Sequence, residues 1–326
     1  MVKKGDYMKL ANLVTTVMVA SMPCAAIAAI SPAAPQLSLT GTVQVFADEF
    51  KTMPAWREGG VQVGEKAKPL NDPTFTWASG YIWNHAIVGT KKPWPPAKTN
   101  FPAWTSNGTA DADPNGDMMK KMGTSLGPFA LTSNDHLQIT AKPFPSYLKK
   151  TVDKQDLPAT YMSGTITSFP YSQKYGVFTI RAKLTKGKGT WPAFWLLPAS
   201  KAWPPEIDVF ETLGANPKTL VTTVHYKNAL GKHEQKALAT DTGLDLSADF
   251  HEYSVDWGPN EIKWYFDGKQ VFSTPTPDSL HQPCYLLANL AIGKSTNWGG
   301  APNAATVFPN SMKIDYIRVY QRPEYQ

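Results

Sequence analysis

Three carboxylates fall within six residues in the stretch Trp203-Pro204-Pro205-Glu206-Ile207-Asp208-Val209-Phe210-Glu211-Thr212. The residues between them are apolar or β-branched, the types that build strands. Successive side chains on a strand point to opposite faces, which sends Glu206 and Asp208 one way and Ile207 and Val209 the other. Glu211 breaks that parity. One extra residue at Val209-Phe210, a β-bulge, would bury both apolar side chains and return Glu211 to the acidic face. Three carboxyls sharing one face repel each other and cannot all ionise normally. Glycoside cleavage has a use for such a set: one carboxylate attacks the sugar carbon, and a second, held protonated, gives its proton to the leaving oxygen. The same pattern also describes a solvated acidic edge strand, so the surrounding elements must decide.

Those elements read as β throughout. Val43–Phe50 alternates like a strand, and after Pro128 the pattern is sustained at His136–Ala141, Ser163–Ser168, Val177–Ala182, Ala193–Leu197 and Leu220–Tyr226. Tyr253–Trp257 returns as Glu261–Phe266, and Asp267-Gly268 is a tight-turn signal into Gln270–Phe272. Leu286–Ile292 and Met312–Tyr320 complete the set, with no amphipathic helix and no internal repeat. Many short strands without intervening helices predict an all-β sandwich or jelly roll in one domain. From Met53 to about Pro128 the periodicity fades among Pro, Gly, Asn and Asp, yet Trp56, Trp77, Trp83, Trp94 and Trp104 fall there. Long surface loops walling a binding site fit this better than a disordered linker. Asp111–Gly116 begins like a calcium-binding loop, but the twelfth position is Met122, and an Asx-rich turn is the simpler reading.

Composition narrows the setting. The chain has 326 residues, 18% of them charged, and a formal net charge of +6. Residues 1–28 carry Lys3, Lys4 and Lys9, an apolar run from Leu10, and small residues up to Ala28, the layout of a secretory signal peptide. Its removal lowers the charge to about +4 and leaves residues 29–40 as a short leader before a single domain over 41–323. A secreted or periplasmic protein is expected, with no membrane attachment in the mature form. No basic run interleaved with aromatics is present, so nucleic acid is a poor partner. Cys284, the one cysteine beyond residue 28, sits among apolar residues as a core thiol.

Several segments, in order, resemble glycoside hydrolase family 16, the group of β-glucanases, laminarinases, agarases and carrageenases. They are Phe46–Phe50, Ser163–Ser168 with Tyr175-Gly176, Thr190–Pro198, Glu206–Glu211, Thr223–Tyr226, Phe250–Tyr253 with Trp257, and Ile314–Tyr320. The resemblance implies a jelly-roll sandwich of two curved antiparallel sheets whose concave sheet forms a substrate cleft. It also implies Glu206 as nucleophile, Glu211 as acid/base and Asp208 between them, in a retaining endo-acting enzyme on a β-linked polysaccharide. No cofactor is required for that chemistry. A monomer is expected, and some relatives carry a structural calcium on the convex side with the Asp matching Asp315 as a ligand.

Sugar rings need flat apolar faces and hydrogen-bonding groups around them. Trp191 and Trp195 share one strand face by parity, Trp203 enters just before the acidic strand, and Trp298 lies on a late loop. Each is a candidate substrate contact, and each also suits ordinary core packing. His225 is either a satisfied core histidine or a hydrogen-bonding partner of substrate or Glu206; Asn289 is a further candidate. The unmatched stretch from Trp56 to Pro128 and the loop Gly293–Gly300 depart from the β-glucanase pattern and leave the polymer open among β-glucan, galactan and bacterial exopolysaccharide. A transglycosylase, or a binding protein on the same scaffold, are the alternatives.

Overall fold

In a computed structural model, the described residues are 27–51, 56–57, 77–79, 109–110, 128–143, 161–168, 171–293, 295 and 298–325. Most of the Trp-rich stretch, the Asp111–Met122 turn and all but the end of the 1–28 segment lie outside them. Two sheets stack face to face. The first runs, in spatial order, Ala28–Ala29, His233–Asp241, Thr219–Lys227, Glu206–Glu211, Thr190–Pro198, Cys284–Ile292, Thr165–Thr167, Trp77–Ser79 and Trp56–Arg57. The second runs Lys269–Pro275, Glu261–Phe266, His251–Trp257, Gly176–Lys183, Asn310–Gln321, Leu137–Pro143, Tyr161–Met162 and Thr109–Ala110, with Val43–Asp48 beside Asn310–Gln321 and Phe129–Leu131 beside Leu137–Pro143. Among the described residues, helix is confined to the 3-10 turns Asp278–Leu280 and Pro323–Tyr325. The long strands pair antiparallel, and the architecture is the expected all-β jelly-roll sandwich.

The core lies between the sheets. Phe194, Leu196, Ile207, Leu286, Ala288 and Leu290 face it from the first sheet, and Phe178, Tyr253, Trp264, Ile314 and Ile317 from the second. Alternation along each first-sheet strand therefore leaves Trp191, Ala193, Trp195, Leu197, Leu287 and Asn289 on the outer, concave face. There Ala193, Trp195, Leu197, Tyr285 and Leu287 make a second apolar cluster, against which Trp203 packs. Gly189, with φ +88°, turns the chain into Thr190–Pro198; a Cβ there would lie 2.3 Å from the Pro302 nitrogen, so no side chain fits.

Two features depart from expectation. His233–Asp241 is a full strand, paired from Thr219↔Asp241 to Lys227↔His233, although its sequence carries no clear strand signal. Edge position explains this: one flank is largely open, so Glu234, Lys236 and Asp241 stand in solvent where a central strand would need apolar residues. The second is the segment expected to be a leader. Ala28–Ala29 pairs with Thr240–Asp241, while Leu37 N–H donates to Gly268 O at 2.7 Å and Gln270 N–H to Pro35 O at 2.8 Å. The segment thus crosses from the outer strand of one sheet to that of the other and covers both edges.

Candidate active site

The bulge forms where parity required it. Against Thr219–Lys227, Asp208 pairs with Thr223 and Glu211 with Val221, so two residues, Val209 and Phe210, oppose Thr222 alone. Both of those side chains enter the core with Ile207, and the Phe210 ring rests 4.5 Å from the Tyr253 ring. Burying Val209 and Phe210 rather than exposing them is worth about 1.5–3 kcal/mol each, and that selects this register. Glu206, Asp208 and Glu211 consequently share the concave face. All three are buried, none more than 5% exposed.

Each glutamate meets an indole. The Trp203 N–H donates to Glu206 Oε2 at 2.6 Å, and the Trp191 N–H donates to Glu211 Oε1 at 3.1 Å. Trp195 donates instead to Asn289 Oδ1 at 2.7 Å. Trp191 and Trp195, expected as platforms for sugar rings, are almost fully buried, so their N–H groups and packing are what they bring to the site. Trp298 is half-buried and stands edge-on to Trp191, with ring centroids 5.4 Å apart. Trp203 is half-buried too, its ring 4.8 Å from that of His233.

His225 lies opposite Glu206 in the ladder, but its Nε2 is 3.4 Å from Asp208 Oδ2. Its ring thus approaches Asp208, which shares the concave face with Glu206. One oxygen of Glu206, one of Asp208 and one His225 ring nitrogen all lie within 4.8 Å of each other. His225 Nδ1 is 3.0 Å from His233 Nε2, with the rings tilted by 23°. Sequence reasoning missed His233 because its strand was missed. The turn at Asn228–Gly231 was the available signal, since it folds His233 back beside His225.

Electrostatics follow from burial. Loss of solvent pushes Glu206 up to about 8, aided by the charge of Asp208 and opposed by His225 and the Trp203 N–H. Burial and then the charge of Glu206 push Glu211 up to about 8, opposed by the Trp191 N–H. Asp208 is pushed well above the usual carboxylate range by burial and by Glu211. The three therefore hold fewer than three charges near neutral pH. The shorter indole bond favours charge on Glu206 and leaves the proton with Glu211. Among the described residues, the buried Glu206 Oε1 and Asn289 amide nitrogen have no hydrogen-bond partner, one acceptor and one donor on the same face.

Asp315, the residue of the calcium expectation, is paired with an arginine. It is the extra residue of a bulge against Gly176–Lys183, and its Oδ2 accepts from Arg181 Nη1 at 2.5 Å, with His136 Nε2 3.7 Å from Oδ1. The carboxylate is thus paired with a guanidinium.

Comparisons with known proteins agree with the fold. The description "Glycosyl hydrolases family 16" matches residues 123–318. Endo-1,3-1,4-beta-glycanase EglC of Rhizobium meliloti (strain 1021) is 39% identical over 197 residues, 60% of this chain and 40% of that protein, so the chain spans less than half the length of this relative. The laminarinase catalytic domain of Thermotoga maritima MSB8 superposes with a TM-score of 0.58 at 25% identity, covering 86% of this chain and 98% of that one. The endo-beta-1,3-glucanase of Pyrococcus furiosus gives 0.51 at 32% identity, covering 60% and 77%. On the family match and on the bulged strand that carries its three carboxyls, the chain belongs to glycosyl hydrolases family 16.

Proposed function

We propose that this protein cleaves internal β-linkages of a 1,3- or mixed 1,3-1,4-linked glucan with retention of configuration. The observation that carries the reading is the Val209-Phe210 bulge, which sets Glu206 and Glu211 on one face, each with its own indole donor. Glu206, the better stabilised as an anion, attacks the anomeric carbon while Glu211 passes its proton to the departing glycosidic oxygen. The products are a glycosyl ester on Glu206 and a Glu211 carboxylate. Glu211 then takes a proton from water as that water attacks the same carbon, releasing Glu206 and restoring the acid. Asp208 lies between the two and shares their charge. The unpartnered Glu206 Oε1 and Asn289 amide supply an acceptor and a donor for sugar hydroxyls, and the half-buried Trp298 and Trp203 provide ring faces at the rims. The 1,3-1,4 linkage leans on the likeness to EglC, a β-glycanase, and the glucan on the likeness to a laminarinase and an endo-β-1,3-glucanase. The proposed setting is outside the cytoplasm, after loss of residues 1–28.

A polysaccharide panel of mixed-linkage β-glucan, laminarin, agarose and carrageenan tests this. Reducing ends should rise on the first two, NMR of the fresh product should show the β-anomer first, and Glu206→Gln should be inert. An α-anomer as first product would overturn the mechanism, and cleavage of only agarose or carrageenan would overturn the substrate.

A further inference from the structure

We propose that His225 and His233 form a two-imidazole relay that carries a proton between the buried Asp208 carboxyl and water, with His233 as the positioning residue at its outer end. The relay rests on the retaining-glycosidase reading above and goes beyond it. Its parts stand in line. Among the described residues, buried Asp208 Oδ2 has no partner in hydrogen-bond geometry, and His225 Nε2 is 3.4 Å away. His225 Nδ1 is 3.0 Å from His233 Nε2, and the His233 ring is only partly buried, so water reaches it. The Trp203 ring lies beside both imidazoles, at 6.0 and 4.8 Å between ring centroids. The ionisable groups facing the pair are Glu206 and Asp208 from the acidic strand, Lys227 opposite His233, and Glu234 beside it.

Proton balance is simple. Starting with protonated Asp208 and both imidazoles neutral with hydrogen on Nδ1, Asp208 Oδ2 gives its proton to His225 Nε2. His225 Nδ1 gives its own to His233 Nε2, and His233 Nδ1 releases one to water. One proton leaves, Asp208 becomes a carboxylate, and both rings end neutral with hydrogen on Nε2. The reverse sequence brings a proton in. Such a path has a use because charge moves from Glu206 to Glu211 when the glycosyl ester forms, and Asp208 must adjust while substrate covers it. Burial holds the His225 imidazole below its ordinary range against the pull of Glu206, and burial together with the charge His225 would carry does the same to His233, so the neutral forms needed for relay persist near neutral pH.

The test is His233→Gln, which keeps a polar side chain but cannot relay. On mixed-linkage β-glucan, kcat should fall about tenfold with KM within about twofold, and its acidic limb should move to higher pH as His225 becomes more exposed. Added imidazole should restore part of the rate. A kcat-pH profile that superimposes on wild type overturns the relay, as does a pH-independent loss that imidazole leaves unchanged. Ring nitrogen NMR of the unliganded protein reads the pair without activity: His225 should titrate together with His233 in wild type and shift in His233→Gln. A His225 titration indifferent to the substitution also overturns it. Wild-type protein inert on every β-glucan would sink the functional reading instead, and the NMR would still decide the relay.

Discussion

The indole N–H of Trp264, on one sheet, donates at 2.8 Å to the main-chain carbonyl of Asp208, on the other. Trp264 is fully buried, and the carbonyl it holds immediately precedes the bulge. A bulge leaves backbone groups off the ladder, and a buried carbonyl without a donor is costly. The core of the sandwich thus helps to fix the register on which Glu211 depends. Trp264→Phe keeps an aromatic ring but removes the donor together with the fused five-membered ring that carries it. It should destabilise the fold by about 1–3 kcal/mol and lower kcat more than it raises KM. Thermal unfolding beside steady-state kinetics checks both, and an unchanged melting temperature would show the bond to be dispensable.

Glu211 as acid/base makes a double prediction. Glu211→Ala should lose about 10²–10⁴ in kcat on β-glucan and far less on an aryl glycoside whose leaving group needs no proton. Azide should then restore turnover on the aryl glycoside and yield a β-glycosyl azide, since the ester on Glu206 still forms. Equal losses on both substrates would remove Glu211 from that role.

Trp203 should set the ionisation of Glu206. Trp203→Phe removes the 2.6 Å donor and so raises the pH at which Glu206 becomes an anion. The acidic limb of kcat/KM, which reports the free enzyme, should move upward, with about tenfold loss on that limb and little change on the basic one. Movement of the basic limb alone would contradict it.

The carboxyl cluster should also tie stability to pH. Folding raises Glu206 and Glu211 from 4.5 to about 8, so above the lower value the folded state holds protons that the unfolded chain has released. Their contribution is complete below about pH 4.5 and is lost as pH climbs toward 8. The melting temperature should therefore fall between pH 5 and pH 8, and less steeply in the Glu206→Gln, Glu211→Gln double variant. A parallel slope in the two proteins would place the effect elsewhere.

Asp315 should behave as an ion-pair residue. Asp315→Asn leaves Arg181 without its carboxylate on a partly exposed surface, a loss of about 1 kcal/mol or less. The change in melting temperature should be the same in calcium and in a chelator; a difference would restore the calcium reading.

Much of this was legible along the chain because strands announce themselves by alternation and because a break in alternation has few physical remedies. The parity of Glu206, Asp208 and Glu211, against the apolar run Ile207, Val209 and Phe210, led to the bulge with no coordinates. His233–Asp241 was not legible, since an open edge tolerates Glu234, Lys236 and Asp241 and erases the pattern that a buried strand must keep. His233 disappeared with it. The tryptophans illustrate a different limit: parity placed Trp191 and Trp195 on the right face, but whether a ring shows its plane or its N–H depends on what packs against it.

By itself, then, the order of residues determined the β architecture, the acidic strand and its irregularity, since these follow from periodicity and from the cost of burying the wrong side chain. Tertiary structure alone decided the partners: Trp203 with Glu206, Trp191 with Glu211, His225 with Asp208 and His233, Trp264 with the Asp208 carbonyl, and Arg181 with Asp315. All but the first of those pairs join residues on different strands. Their distances are set by how strands and sheets stack, and no local pattern of residue types encodes that.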